Sequence, residues 1–149
     1  MSRYTTISRA GRIDAAAAEV LSLVSSTEGF TAINPHRTAD PKLELTPFGP
    51  SNGVGSGFAF SGKGGKGTQV VSEVTDHHVE YAIDMGSMGQ STQRIVATPA
   101  SHDGCDVEWS MTFDAGRNPM LRIFGLVANR VLGPTLDSGI RNLATTTWR

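Results

Sequence analysis

The sequence predicts an α+β domain: a curved antiparallel sheet of about six or seven strands holding one long, kinked C-terminal helix. Three observations predict it. A helical stretch from Asn118 to about Thr146 follows a series of short alternating segments. Those segments are joined by tight turns, which makes an antiparallel meander. The other helical signals are gathered in one place, after the first strand. With 149 residues and no linker, internal repeat or low-complexity stretch, a single domain over 1–149 is expected.

Tyr4 to Ile13 alternates as a first strand. Asp14 is placed to cap an alanine-rich helix, Ala15 to about Val24, with Val20, Leu23 and Val24 on its buried side. A second short helix, Thr27 to Ile33, stops at Asn34-Pro35, because a residue before proline is driven out of helical geometry. Lys42 to Thr46 alternates as a strand, and Pro47 to Gly57 reads as a turn-rich loop. Phe58 to Lys63 and Thr68 to Thr75 flank the hairpin signal Gly64-Gly65. After His77-His78 comes Val79 to Met85, with Val79, Tyr81, Ile83 and Met85 on one face. Gly86 to Gly89 is a loop, Thr92 to Thr98 a strand, and His102-Asp103-Gly104 a turn. In the last strand Cys105, Val107, Trp109, Met111 and Phe113 alternate with polar residues, so one face is apolar and the other wet.

In the final helix Asn118 suits the cap and Pro119 the first position. Leu121, Phe124, Ala128, Val131 and Leu132 form one stripe, and Leu136, Ile140 and Leu143 continue it after Gly133-Pro134, rotated round the axis. A bend at Pro134 explains the rotation. About 28 residues at about 1.5 Å each make a rod of about 42 Å. Gly125 and Gly139 lie on the stripe, either for close packing or to leave space for a ligand. On the second reading a bulkier residue at 139 fills the space and leaves the fold intact.

A net charge of −1 and scattered Lys and Arg give no electrostatic case for nucleic acid or anionic membrane. The lone Cys105 excludes an internal disulfide and suits a reducing compartment. No stretch has the length of a membrane span and Met1 to Thr6 lacks a signal-peptide core, so a cytoplasmic location is expected.

Four stretches in this order resemble the START-related, helix-grip superfamily, in its polyketide cyclase/dehydrase-like branch. They are Ile13-Asp14-Ala15 through Leu23, Phe30 and Asn34-Pro35; Gly53-Val54-Gly55 through Phe58-Ala59-Phe60-Ser61-Gly62 to Lys66-Gly67; Val107 to Met111; and Leu132-Gly133-Pro134 through Gly139 to Leu143. The sequence departs from the pattern where relatives carry tryptophan: Ile33 and His36 flank Asn34-Pro35, and Phe60 occupies the strand position. The resemblance implies a cavity between sheet and long helix that takes lipids, polyketides or other apolar molecules, with cyclisation or dehydration chemistry in some members. It implies no universal catalytic set.

Chemistry must therefore come from side chains. His77 and His78 are adjacent at a turn and point oppositely, which disfavours a shared metal ion; no metal or cofactor is expected. Cys105 opens an apolar strand face and reads as an inert thiol. Gly64-Gly65-Lys66-Gly67 lacks the following helix that a phosphate loop needs. Tyr81, on a buried face, and His36, between the second helix and the sheet, are the acid–base candidates. Arg94 is mid-strand, either outward in solvent or inward beside a carboxylate. Phe58, Phe60, Tyr81 and Met85 are candidate ligand contacts from the early strands. Trp109, Met111, Phe124 and Ala128 are the candidates from the last strand and helix. The expected function is binding of a small, mostly apolar lipid-like, polyketide or aromatic molecule. A cyclase or dehydratase using Tyr81 and His36 is the first alternative, and a protein-interaction module the second. Nothing in the sequence signals an oligomeric state.

Overall fold

A computed structural model describes residues 4–63, 65–86, 89–114 and 119–146, with the side chains of 38–39 and 119–126 outside that description. The elements are β1 (Tyr4–Ile13), α1 (Ala17–Val24), α2 (Thr27–Ile33), α3 (Pro35–Ala39), β2 (Glu44–Phe48), β3 (Gly57–Gly62), β4 (Gly65–Val74), β5 (His78–Asp84), β6 (Gln90–Pro99), β7 (Cys105–Asp114) and α4 (Pro119–Thr145). All seven strands join one antiparallel sheet in the order β1-β7-β6-β5-β4-β3-β2. The first strand thus closes onto the last, and the three short helices cross from one sheet edge to the other.

One face of the sheet is buried. Val79, Tyr81 and Ile83 on β5, Ile95 and Ala97 on β6, and Cys105, Val107, Trp109 and Met111 on β7 all point into the core. Asp106 and Glu108 face water, as the alternation of β7 predicts. Helix α1 packs against β5 and β6, whereas α4 lies along β1 and β7 and meets α2 and α3.

Local sequence explains the elbow between α1 and α2. The Ser26 hydroxyl accepts from Gly29 N at 2.9 Å and so caps α2. A Cβ on Gly29 would fall 2.1 Å from the Leu23 carbonyl oxygen, so the chain turns this tightly only with glycine there. Thr27 Oγ1 bonds Ser56 Oγ at 2.8 Å, and Gly53 N donates to Ser25 O at 2.9 Å, which ties the elbow to the segment before β3.

Two expectations are corrected and one is extended. Asp14 is not the cap of the first helix: Ala16 holds that position in extended geometry with no side-chain bond, and Asp14 accepts from Arg12 Nε at 3.0 Å. The second helix ends at Ile33 as expected, but a further short helix, α3, which was not expected, starts at once from Asn34-Pro35. Asn34 is extended, as a pre-proline residue should be, and its side chain accepts from His36 N at 2.9 Å. The strand expected at Lys42–Thr46 lies two residues later, at Glu44–Phe48. Pro47 is tolerated because β2 is an edge strand paired only with β3.

Helix α4 continues through Pro134. Its seat on the sheet is set by glycines on both surfaces. A Cβ on Gly11 of β1 would meet Ile140 Cγ2 at 2.6 Å, and one on Gly133 would strike the Arg9 guanidinium at 2.0 Å. Arg9 NH1 in turn donates to Asn129 Oδ1 at 2.9 Å, and its Nε lies 3.4 Å from Asp137. A Cβ on Gly139 would fall 2.4 Å from the Trp109 ring. Gly139 therefore serves close packing and leaves no ligand space, which corrects the second reading of that residue. The Asn118 cap and the side chains at 121, 124 and 125 lie outside the described residues.

Gly139→Leu is accordingly expected to destabilise the fold rather than spare it. Helix propensity favours leucine by up to about 1 kcal/mol. Forcing a branched side chain into a rigid, sealed indole costs about 1–3 kcal/mol or more, and this term should win. Urea denaturation should show a clearly lowered midpoint for Gly139→Leu beside an unchanged Asp106→Ala control. Equal midpoints would contradict the packing.

Candidate functional site

The buried face is held together by polar groups as well as by apolar contact. A helix ends with carbonyls that have no partner within it. At the end of α1, the Val24 carbonyl receives the Tyr81 hydroxyl at 2.6 Å. Tyr81 is only 2 % exposed, and burial raises its pKa well above the ordinary 10.0, so the phenol stays neutral. Its one proton is already donated to protein.

A second polar line crosses the strands. Trp109 Nε1 donates to Gln93 Oε1 at 2.8 Å, and Gln93 Nε2 donates to Gln69 Oε1 at 3.0 Å. Trp109, Gln93 and Gln69 are 0 %, 1 % and 5 % exposed. Neither glutamine was among the sequence-derived candidates. The signal that could have found them is phase: Gln93 alternates in step with Ile95 and Ala97, and Gln69 with Val71.

Aromatic residues from β3 and α2 fill much of the same face. Phe30 of α2 stands 5.1 Å from the Tyr81 ring and 5.9 Å from both Phe58 and Trp109, measured between centroids. Phe30 thus occupies the place where a ligand was expected to meet Tyr81 and Trp109. Beneath it a void of about 10 Å³, enough for about one water, is lined by Thr27, Phe30, Phe58, Gln69 and Tyr81 among others. Trp109 and Ala128 are fully enclosed, and Met111 is buried, so these three contribute packing. Phe60 and Met85 differ. They lie on the same face but are only partly buried, and Phe60 meets Phe58 edge-on at 6.4 Å. The Phe124 side chain lies outside the described residues.

The remaining candidates are elsewhere. His36 is on the exposed side of α3. Protein behind its ring lowers its pKa by desolvation, but water still reaches the residue, so the open surface weighs more in its chemistry. His36 and Tyr81 are not brought together by any bond among the described residues. Arg94 is exposed on the outer face and donates to Glu80 at 2.7 Å. His78 bonds Glu73 beside the turn, whose Thr75 hydroxyl accepts from the N–H groups of His77 and His78 at 3.1 Å each. Cys105 is buried, and desolvation with Asp106 nearby raises its thiol pKa, consistent with an inert side chain. An open groove of about 420 Å³ runs on the surface between α2 and the end of β2, past Glu28, Thr31, Pro47 and Phe48.

One antiparallel sheet, short helices bridging its edges and a long terminal helix laid on it define the helix-grip fold. The chain belongs to the family described as polyketide cyclase / dehydrase and lipid transport, whose profile matches residues 4–147. Norcoclaurine synthase from Thalictrum flavum, in complex with dopamine and hydroxybenzaldehyde, superposes with a TM-score of 0.67 at 15% identity, covering 98% of this chain and 90% of that one. A solution structure from Thermobifida fusca gives 0.64 at 18% identity, covering 92% of each chain. The protein XoxI from Bacillus cereus gives 0.64 at 15%, covering 94% and 93%. At these identities the likeness shows the fold alone. No curated protein sequence matches the chain. Among the described residues, no helix is long and apolar enough to cross a membrane.

The Tyr81 bond has a measurable consequence. Tyr81→Phe leaves the Val24 carbonyl buried without its donor and should lower stability by about 1–3 kcal/mol. Because the folded-state pKa is raised, the stabilisation is fully present below about pH 10, the unfolded value, and is lost as pH rises toward the folded value. Stability measured from pH 8 to 11 should fall less steeply for Tyr81→Phe than for the wild type. Identical slopes would show that the phenol is not sealed.

Proposed function

We propose that this protein binds a small, mostly apolar molecule on the inner face of β3 to β5, with Phe60 and Met85 against its body. The observation that carries the reading is the incomplete burial of these two large apolar side chains beside the sealed Phe58 and Ile83. An apolar surface beside a few fixed polar groups is the usual composition of a small-molecule site. The family description, which joins polyketide chemistry with lipid transport, agrees with an apolar ligand. Binding is favoured over turnover because the Tyr81 proton is engaged by Val24 and His36 faces open solvent. General acid–base catalysis needs groups within reach of one reacting atom.

Native mass spectrometry of the freshly purified protein tests the reading first, through a co-purified small molecule. Titration with the neutral fluorophore N-phenyl-1-naphthylamine tests the location. Phe60→Ala removes a half-buried ring and should weaken probe binding about tenfold, since about 1.4 kcal/mol is a factor of ten. Circular dichroism serves as the folding control. A folded Phe60→Ala protein with wild-type affinity would move the site elsewhere, and no saturable binding at all would sink the proposal.

A further inference from the structure

We propose that the Gln69 side-chain amide is the polar recognition point of this site, donating hydrogen bonds to a neutral acceptor oxygen, such as a ketone, ester or amide carbonyl, on an otherwise apolar ligand. The inference rests on the ligand-binding reading above and adds the chemical class of the ligand.

The direction of the buried relay is forced from one end. An indole N–H can only donate, so the Gln93 atom that Trp109 meets at 2.8 Å must be the carbonyl oxygen. Gln93 therefore turns its NH₂ toward Gln69, and the Gln69 atom that receives it at 3.0 Å must also be oxygen. Flipping either amide would set donor against donor or acceptor against acceptor. The Gln69 NH₂ is thus left at the free end of the line with two hydrogens to give. It has no partner among the described residues, although the side chain is only 5 % exposed. No fully enclosed side-chain nitrogen or oxygen among the described residues goes unpaired, so this nitrogen borders accessible space, and the void of about 10 Å³ that Gln69 lines beside Phe30 has room for a single acceptor oxygen.

Its surroundings select the ligand. Gln69 pairs with Phe58 on β3 and with Ile83 on β5, between Gly67 and Val71 on its own strand. None of these carries a charge, and Tyr81 nearby is neutral. The void that Gln69 lines adds only neutral hydroxyls, Thr27 and Ser56 among them, so a carboxylate would find no counter-charge there, whereas a neutral carbonyl oxygen fits the free amide donor. Sites built around a buried hydrogen-bonding group reject analogues that lack the matching atom, because the protein group is then left unpaired. Only the acceptor oxygen would enter the void, in place of a water, and the ligand body would lie outside it along Phe60 and Met85, the partly accessible side chains of the same face.

Fluorenone and fluorene share a ring skeleton and differ in the carbonyl, so their competition against N-phenyl-1-naphthylamine isolates the contact. Wild-type protein should prefer fluorenone about three- to tenfold, the span of one net neutral hydrogen bond. Gln69→Leu should abolish the preference by weakening fluorenone and leaving fluorene unchanged. Infrared spectroscopy of bound fluorenone needs no variant: its carbonyl band should shift to lower frequency than in hydrocarbon solvent. Equal displacement by the two competitors, an unshifted carbonyl band, or a preference that survives in a folded Gln69→Leu protein would each overturn the assignment, leaving Gln69 as the partner of a structural water. If the fluorophore itself fails to bind, the ligand-binding reading falls, and this inference falls with it.

Discussion

Trp109 has to be buried without stranding its indole N–H, and much of the interior follows from that requirement. The ring is pressed against α4 at Gly139 and against Phe30 of α2, so no water reaches it. A buried donor left unpaired costs about 1–3 kcal/mol, a large share of the margin of a small domain. Gln93 on the next strand supplies the acceptor, but a buried glutamine brings its own NH₂, which needs an acceptor in turn. Gln69 meets that need and passes the problem on. Each amide solves one unpaired group and creates another, until the line reaches the small void beside Phe30.

The Tyr81 contact works differently. It joins a side chain to a helix end and closes on itself, because the Val24 carbonyl is an acceptor with nothing further to give. One of the two buried polar systems is therefore complete within the protein and the other is open. Part of the inner face is accordingly ordinary core, closed by Phe30, while the part nearer Phe60 keeps accessible apolar surface.

The fold was largely legible in the sequence because it rests on local patterns. The alternation of Cys105 to Phe113 marks β7 over its observed length, and the wheel of Ala128, Leu136 and Leu143 marks the buried side of α4. Errors fell where two local signals compete. Asp14 has the chemistry of a cap, but the turn into α1 is completed two residues later at Ala16. Asn34-Pro35 ends one helix and begins another, and both outcomes obey the same pre-proline rule. The site was much less legible. Whether Gly139 makes room for a ligand or for a neighbour depends on what stands opposite, and Trp109 lies thirty positions away on another element. Tyr81 stood as an acid–base candidate because its partner is a backbone carbonyl, which every residue has and no side-chain pattern marks. Gln69 and Gln93 drew no notice in the sequence, although their phase with Val71 and Ile95 places them inward.

The glycines beneath α4 divide the molecule by its tolerance to change. At Gly11 and Gly139 the opposing groups are a branched side chain and a rigid ring, so drift at these positions displaces the helix as a whole. Gly133 faces the far end of the flexible Arg9 side chain, which can yield. Phe60 and Met85 also lie against glycines, Gly67 and Gly65, but both side chains stay partly open. Substitutions at the partly open Phe60 and Met85 should therefore disturb the scaffold less than substitutions in the α4 seat. A lineage built this way can vary its partly open surface many times before its architecture records that anything has changed.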